Sequence, residues 1–146
     1  MSQHIVGMVN CMILMLLDEL RVVVLFDKFL ELKLDFWEMA LPKLGDVVDV
    51  IVCKSIDEYF KGVNMETVYG AVTAGTVSYT LPKYNLGDTI IFGSESTGLS
   101  SSLVEKIIPE NRIYIPMIPA NRSINLANAA AIIVYEMWRQ LDFIGA

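Results

Sequence analysis

The sequence predicts an α/β protein, with a mostly parallel sheet flanked by helices. Two patterns carry that expectation. Short continuous runs rich in β-branched residues recur along the chain, and helix-like stretches separate them. Strands apolar on both faces belong to parallel sheets that helices cover on either side. Length is the third consideration, since 146 residues make one domain, 1–146, with enough chain for a real core.

The elements follow in order. Met1 to Trp37 has few turn signals, and four of the eight methionines fall in its first fifteen residues. Its patterning predicts helix rather than alternating strand, with Asp18 to Arg21 ("DELR") ending a first helix. Strands are predicted at Val22 to Phe26 ("VVVLF"), Val47 to Cys53 ("VVDVIVC"), Thr89 to Phe92 ("TIIF") and Arg112 to Ile115 ("RIYI"). Val68 to Thr73 ("VYGAVT") is a further strand, interrupted by Gly70. Ser55 to Phe60 opens with a Ser cap and an acidic first turn, so it reads as helix. Leu99 to Ile108 and roughly Asn125 to Leu141 are the other helices.

Composition narrows the class. Hydrophobic residues make up 54% and charged residues 19%, which predicts a large apolar patch or an oligomer. The longest apolar run, Ile5 to Leu17, is too short to span a bilayer and lacks the flanks of a signal peptide, so a cytoplasmic location is expected. Cys11, Cys53 and the single His4 have no metal-ligand spacing, so no metal site is expected and both thiols read as free and buried. A net charge of −6 is not that of a default nucleic-acid binder; an RNA role needs a local basic patch or a partner.

Two stretches carry chemistry. In "IIFGSESTGL" (Ile90 to Leu99) a strand ends, Gly93 turns the chain, and a helix starts after Gly98. Ligands bind open α/β sheets at the carboxyl ends of strands, and glycines there expose backbone amides. An ordinary strand-to-helix turn fits the same spacing. No Gly-Lys-Ser/Thr follows, so this is not a triphosphate loop. In "IYIPMIPANRSINLAN" (Ile113 to Asn128), Pro116 and Pro119 break the strand. Asn121 or Ser123 can cap the next helix, while Asn125 and Asn128 share one face of it. Asn is a mediocre interior helix residue, so the pair suggests binding. Arg122 can clamp a phosphate or carboxylate; a solvated surface Arg fits equally. Ala127, Ala129, Ala130 and Ala131 allow close approach of a sheet or a second subunit. Tyr135, Trp138 and Arg139 make a mixed aromatic and basic surface, with core packing the plainer reading of Trp138 and solvation that of Arg139.

"IFGSESTGL" followed by "IPMIPANRSINLANAAAIIVYEMWRQL" resembles two motifs of the SPOUT class of RNA methyltransferases. The match runs from about Val68 to the end and is most similar to the small tRNA 2′-O-methyltransferases that modify the wobble nucleotide, a cytidine or uridine. The resemblance implies a carboxyl-terminal trefoil knot, an exception to the rule against threaded chains. It implies S-adenosyl-L-methionine as cofactor, tRNA as substrate and a homodimer. Carried over by position, Ala71, Gly93, Ile115 and Ser123 line the cofactor pocket, with Glu95, Gly98, Met117 and Leu126 nearby. Arg122 and Asn125 become the candidate catalytic residues, and Tyr135 and Arg139 the candidate RNA contacts. Asn125 and Asn128 would also hold the knotted loops by hydrogen bonds.

The first 37 or so residues depart from the family. Its amino-terminal motif is a strand, a proline- and asparagine-containing turn, then a helix with an arginine that assists the reaction. Here the prolines are absent, Asn10 echoes one asparagine, Ile13 stands where that arginine is expected, and Arg21 lies further along. Of a following basic helix only "DKFLELKLDFWE" (Asp27 to Glu38) remains. A damaged gene start, a divergent active enzyme and a catalytically impaired dimer that binds cofactor or RNA without turnover all share this pattern. An unrelated ligand-binding α/β domain is a further alternative.

Overall fold

Runs of β-branched residues fit a pleated, doubly covered surface, and this chain uses them so. The computed structural model describes residues 11–16, 20–25, 48–53, 56–94, 97–120 and 124–144. Seven strands form one sheet: β1 (Cys11–Leu16), β2 (Leu20–Leu25), β3 (Val48–Cys53), β4 (Val68–Ala71), β5 (Val77–Ser78), β6 (Thr89–Phe92) and β7 (Arg112–Tyr114). Among the described residues the helices are α1 (Ile56–Phe60), α2 (Ser101–Lys106) and α3 (Leu126–Gln140). The strand order is β3-β1-β2-β6-β4-β7-β5.

From β2 onward every pairing is parallel, as expected. The amino-terminal edge is different. β1 pairs antiparallel with both β2 and β3, in a register that sets Leu16 opposite Leu20 and Cys11 opposite Cys53. This corrects two expectations. Cys11–Leu16 is strand, not helix, and Leu20 and Arg21 open a strand where "DELR" was expected to end a helix. The physical reason is that β1 lies between two other strands. A continuous apolar run there serves a doubly paired strand as well as it serves a helix, and periodicity cannot separate the two.

The sheet is covered on both sides, and β6 shows how. Ile90 and Phe92 join Tyr69, Tyr84 and Ile113 in a cluster closed by Ile133 and Met137 of α3. Ile91 points the other way, with Val68, against Leu103 and Ile107 at α2 and the partly buried Ile56, Tyr59 and Phe60 of α1. Alternate residues therefore feed two cores, which is why the strand is apolar from Ile90 to Phe92. Burying each such side chain contributes about 1.5–3 kcal/mol.

The helices end where local chemistry says they should. Ser100 caps α2, its Oγ accepting the Leu103 amide at 3.3 Å. Arg112 donates from Nε to the Ile107 carbonyl at 2.9 Å just past the other end. On α3, Ala129 and Ala130 pack toward the sheet cluster while Ala131 is exposed, so the close approach served by the first two is to the sheet. Trp138 is a correction, because Ile133 and Met137 take the core positions and it sits half-buried outside them. Its Nε1 donates to the Ile144 carbonyl at 2.9 Å, and its ring packs edge-on against Tyr135 and Phe143.

The segment between β5 and β6 is tied down at several points. Gln140 accepts the Tyr84 amide and donates to the Pro82 carbonyl, each at 3.1 Å. Tyr84 donates its hydroxyl to the Tyr79 carbonyl at 2.6 Å, and burial pushes its phenol well above the usual range. Asp88, 3% exposed, accepts the Asn85 amide at 2.7 Å.

Candidate active site

Parallel strands present their carboxyl ends on one edge of a sheet, and the register here aligns three of them. Ala71, the last residue of β4, pairs with Phe92 of β6 on one side and Ile113 of β7 on the other. After β4 the chain builds β6 on one side and later β7 on the other. Such a reversal marks the strand-end edge at which sheets of this kind bind ligands. The residues at that edge are Ala71, Gly93 just beyond β6 and Ile115 just beyond β7. The register thus sets at one edge three of the positions that the resemblance implies for one pocket.

The wall after β6 is a tight turn. Ser94 and Gly98 form an isolated antiparallel bridge, with the Gly98 amide donating to the Ser94 carbonyl at 2.9 Å. Gly98 takes φ +69°, where a side chain is strained, and no described atom lies within 4 Å of where its Cβ would be. Gly93 has a different task. A Cβ there would lie 2.0 Å from the Gly98 carbonyl carbon and 2.1 Å from the Leu99 nitrogen. Its missing side chain lets the turn close on itself, which the expectation of an exposed ligand-facing backbone did not include. Glu95 lies outside the described residues.

The wall after β7 begins with Ile115, half-buried against the α3-side cluster. Gly75 lets the β4–β5 connection press on β7, since a Cβ there would be 2.8 Å from the Arg112 carbonyl oxygen. Beyond Pro116, Met117 is partly and Ile118 largely exposed, and Ala120 holds φ 71°, unusual for a residue with a Cβ. Arg122 and Ser123 lie outside the described residues, as does Asn121. α3 begins at Leu126, so Asn125 stands where Asn121 or Ser123 was expected to cap, its carbonyl accepting the Ala129 amide at 2.9 Å. Asn125 and Asn128 are both exposed, and Leu126 packs against the sheet cluster.

Tyr135 and Arg139 are not brought to this edge. They lie further along α3, roughly 14 and 20 Å from Leu126 at the helical rise. Tyr135 is exposed and stacks with Trp138 and Phe143. Arg139 forks onto Glu136, with Nε to Oε2 at 2.7 Å and Nη2 to Oε1 at 2.9 Å. That hydrogen bond holds the Glu136 carboxyl below its ordinary value and raises the guanidinium. The carboxylate offsets the charge this Arg would offer a phosphate.

Ser94, Thr97 and Gln140 were not singled out in the sequence. Paired Ser and Thr three residues apart between two glycines is a signal that a turn-focused reading could have used. Among the described residues no group of His, Cys, Asp or Glu is placed to hold a metal ion. No described helix is long and apolar enough to cross a membrane.

The sequence profile of the SpoU rRNA Methylase family matches residues 23–135. The chain belongs to this family. The resemblance read from the two motifs is borne out, and the match reaches back into β2, well before Val68. Among curated members is the tRNA (cytidine(34)-2′-O)-methyltransferase of Aeromonas hydrophila subsp. hydrophila. It is 38% identical over 92 residues, which are 63% of this chain and 59% of that relative. A solved putative RNA methyltransferase from Bacillus anthracis matches with a TM-score of 0.60 and 25% identity, covering 84% of this chain and 79% of that one. A structure concerned with 2-OH methylation of C/U34 on tRNA matches with a TM-score of 0.55 and 29% identity, covering 60% and 53%. The chain spans a little over half the length of the first curated SpoU relatives it matches. The sheet with helices on both faces is thus the SpoU architecture.

Proposed function

We propose that the chain is an S-adenosylmethionine-dependent tRNA ribose 2′-O-methyltransferase acting on the wobble nucleotide. The observation that carries this is the meeting of Ala71, Gly93 and Ile115 at the strand ends. The named activity of the relative from Aeromonas hydrophila and the subject of the C/U34 structure support the substrate class.

The residues present fit the cofactor. Ala71 is small enough to leave room beside the backbone, and Ile115, Met117 and Leu126 offer apolar surface to an adenine ring. In this reading Ala71, Gly93, Glu95, Gly98, Ile115, Met117, Ser123 and Leu126 hold the cofactor. When bound, S-adenosylmethionine supplies an electrophilic methyl group. The chain's own part is to hold the ribose oxygen in line with it and keep water out. Arg122 and Asn125 are proposed at the substrate hydroxyl, where a positive guanidinium favours the developing alkoxide. Tyr135 and Arg139 would contact RNA. The whole chain, 1–146, acts as one domain, with a carboxyl-terminal knot and a homodimer.

A second reading, a SPOUT-fold dimer that binds without turnover, has an observation of its own. Ile13 lies inside β1, paired with Val23 on one side and Ile51 on the other. A helix-borne arginine has no counterpart at that position.

Calorimetric titration with S-adenosylmethionine, followed by methyl transfer to tRNA, separates the readings. Saturable binding with transfer is expected. Binding without transfer would select the second reading, and folded protein that binds nothing would remove both.

A further inference from the structure

The turn after β6 carries more hydrogen bonds than its backbone requires. Ser94, 9% exposed, places Oγ 2.7 Å from the Thr97 Oγ1. The same Oγ accepts the Thr97 amide at 3.3 Å, and the Ser94 carbonyl accepts the Gly98 amide at 2.9 Å. The backbone bond alone would close the turn. The hydroxyl pair is an addition made by these two residues. It is not part of helix capping, because Ser100 caps α2.

We infer that Ser94 and Thr97 are positioning residues that lock this turn in its ligand-ready shape before the cofactor arrives. The turn follows β6 at the carboxyl-terminal edge of the sheet, and Gly98 holds its positive φ there. An unlocked turn samples other paths, and binding must then order it. A turn already closed by two side chains loses less freedom on binding, which strengthens affinity with no contact to the ligand. The inference rests on the cofactor reading above for its binding consequence, though not for the lock itself.

The test uses the full chain with Thr97→Val, Ser94→Ala, the double variant and Thr97→Ser. Two readouts are needed: amide hydrogen exchange at Gly98 without ligand, and calorimetric affinity for S-adenosylmethionine. Each single removal should speed Gly98 exchange by about three- to tenfold and weaken affinity by about the same factor, the range of one hydrogen bond. The double variant should be no worse than Ser94→Ala, which already removes both bonds to Oγ, and Thr97→Ser should keep both values at the parent's. Unchanged Gly98 exchange in the single variants would overturn the lock. So would weakened affinity with unchanged exchange, which would make the hydroxyls direct ligand contacts. If the parent protein binds no S-adenosylmethionine, the cofactor reading fails, and Gly98 exchange still decides the lock.

Discussion

One added carbon at Gly93 would sit 2.0 Å from the Gly98 carbonyl carbon, and backbone cannot move aside as a side-chain tip can. Gly93→Ala should therefore cost about 3 kcal/mol or more, at the severe end of overpacking. Gly98→Ala meets no described atom and should cost only the left-handed strain, about 1–2 kcal/mol. Urea unfolding of both variants checks the order; a milder effect at Gly93 would contradict the close approach. Asp88 makes a second prediction at this scale. Burial raises its pKa above the ordinary 3.8, and the Asn85 amide only partly opposes this. The folded state then binds its proton more tightly than the unfolded state. The stability this group contributes is present below 3.8 and is lost as pH rises through the raised folded value. Asp88→Asn keeps an acceptor for the Asn85 amide and removes the charge. Compared with the parent, it should gain stability from pH 4 to pH 7, read as a rising difference in urea midpoints. A constant difference would mean that Asp88 titrates alike in both states.

Helix α3 packs on the sheet, and Gln140 ties it to the β5–β6 segment. Its amide oxygen and nitrogen serve Tyr84 and Pro82, and the nitrogen also reaches Glu136 at 2.9 Å. Gln140→Glu keeps the acceptor, loses the donor and sets a second anion beside Glu136. A loss of about 1–3 kcal/mol is expected, with a thermal midpoint lower by roughly 2–4 °C per kcal/mol. The loss should shrink in acid as the new carboxyl takes up a proton. A variant as stable as the parent at neutral pH would show that the segment holds without the clamp. The elements themselves were largely legible. β6 begins and ends as its apolar run does, and β3, β4, β7 and α3 lie within one or two residues of expectation. Each is bounded by a local signal such as a glycine, a proline or a cap. The exceptions are β5, a two-residue strand that was not expected, and β1, whose run has no such signal and whose state depends on two partners.

Across the whole molecule, two cores on opposite faces of one sheet account for part of the 54% hydrophobic content. Leu81, Ile118, Tyr135 and Ile144 remain at least half exposed. The proposed homodimer would cover some of this surface. Sedimentation across a dilution series should give a mass of two chains; a single-chain mass at every concentration would remove the dimer. The family was readable from "IFGSESTGL" and "IPMIPANRSINLAN" because a turn and a helix start encode themselves locally, in glycines, prolines and polar caps. Ala71, Gly93 and Ile115 came from that resemblance, which already set them in one pocket. The register that aligns them, the antiparallel pairing of β1 and the collision that reserves position 93 for glycine could not be read from the chain. The first two depend on registers between segments far apart in the chain, and the third on a turn that folds back on itself. Such registers are set by how the faces of the sheet bury themselves, not by any residue's own preference.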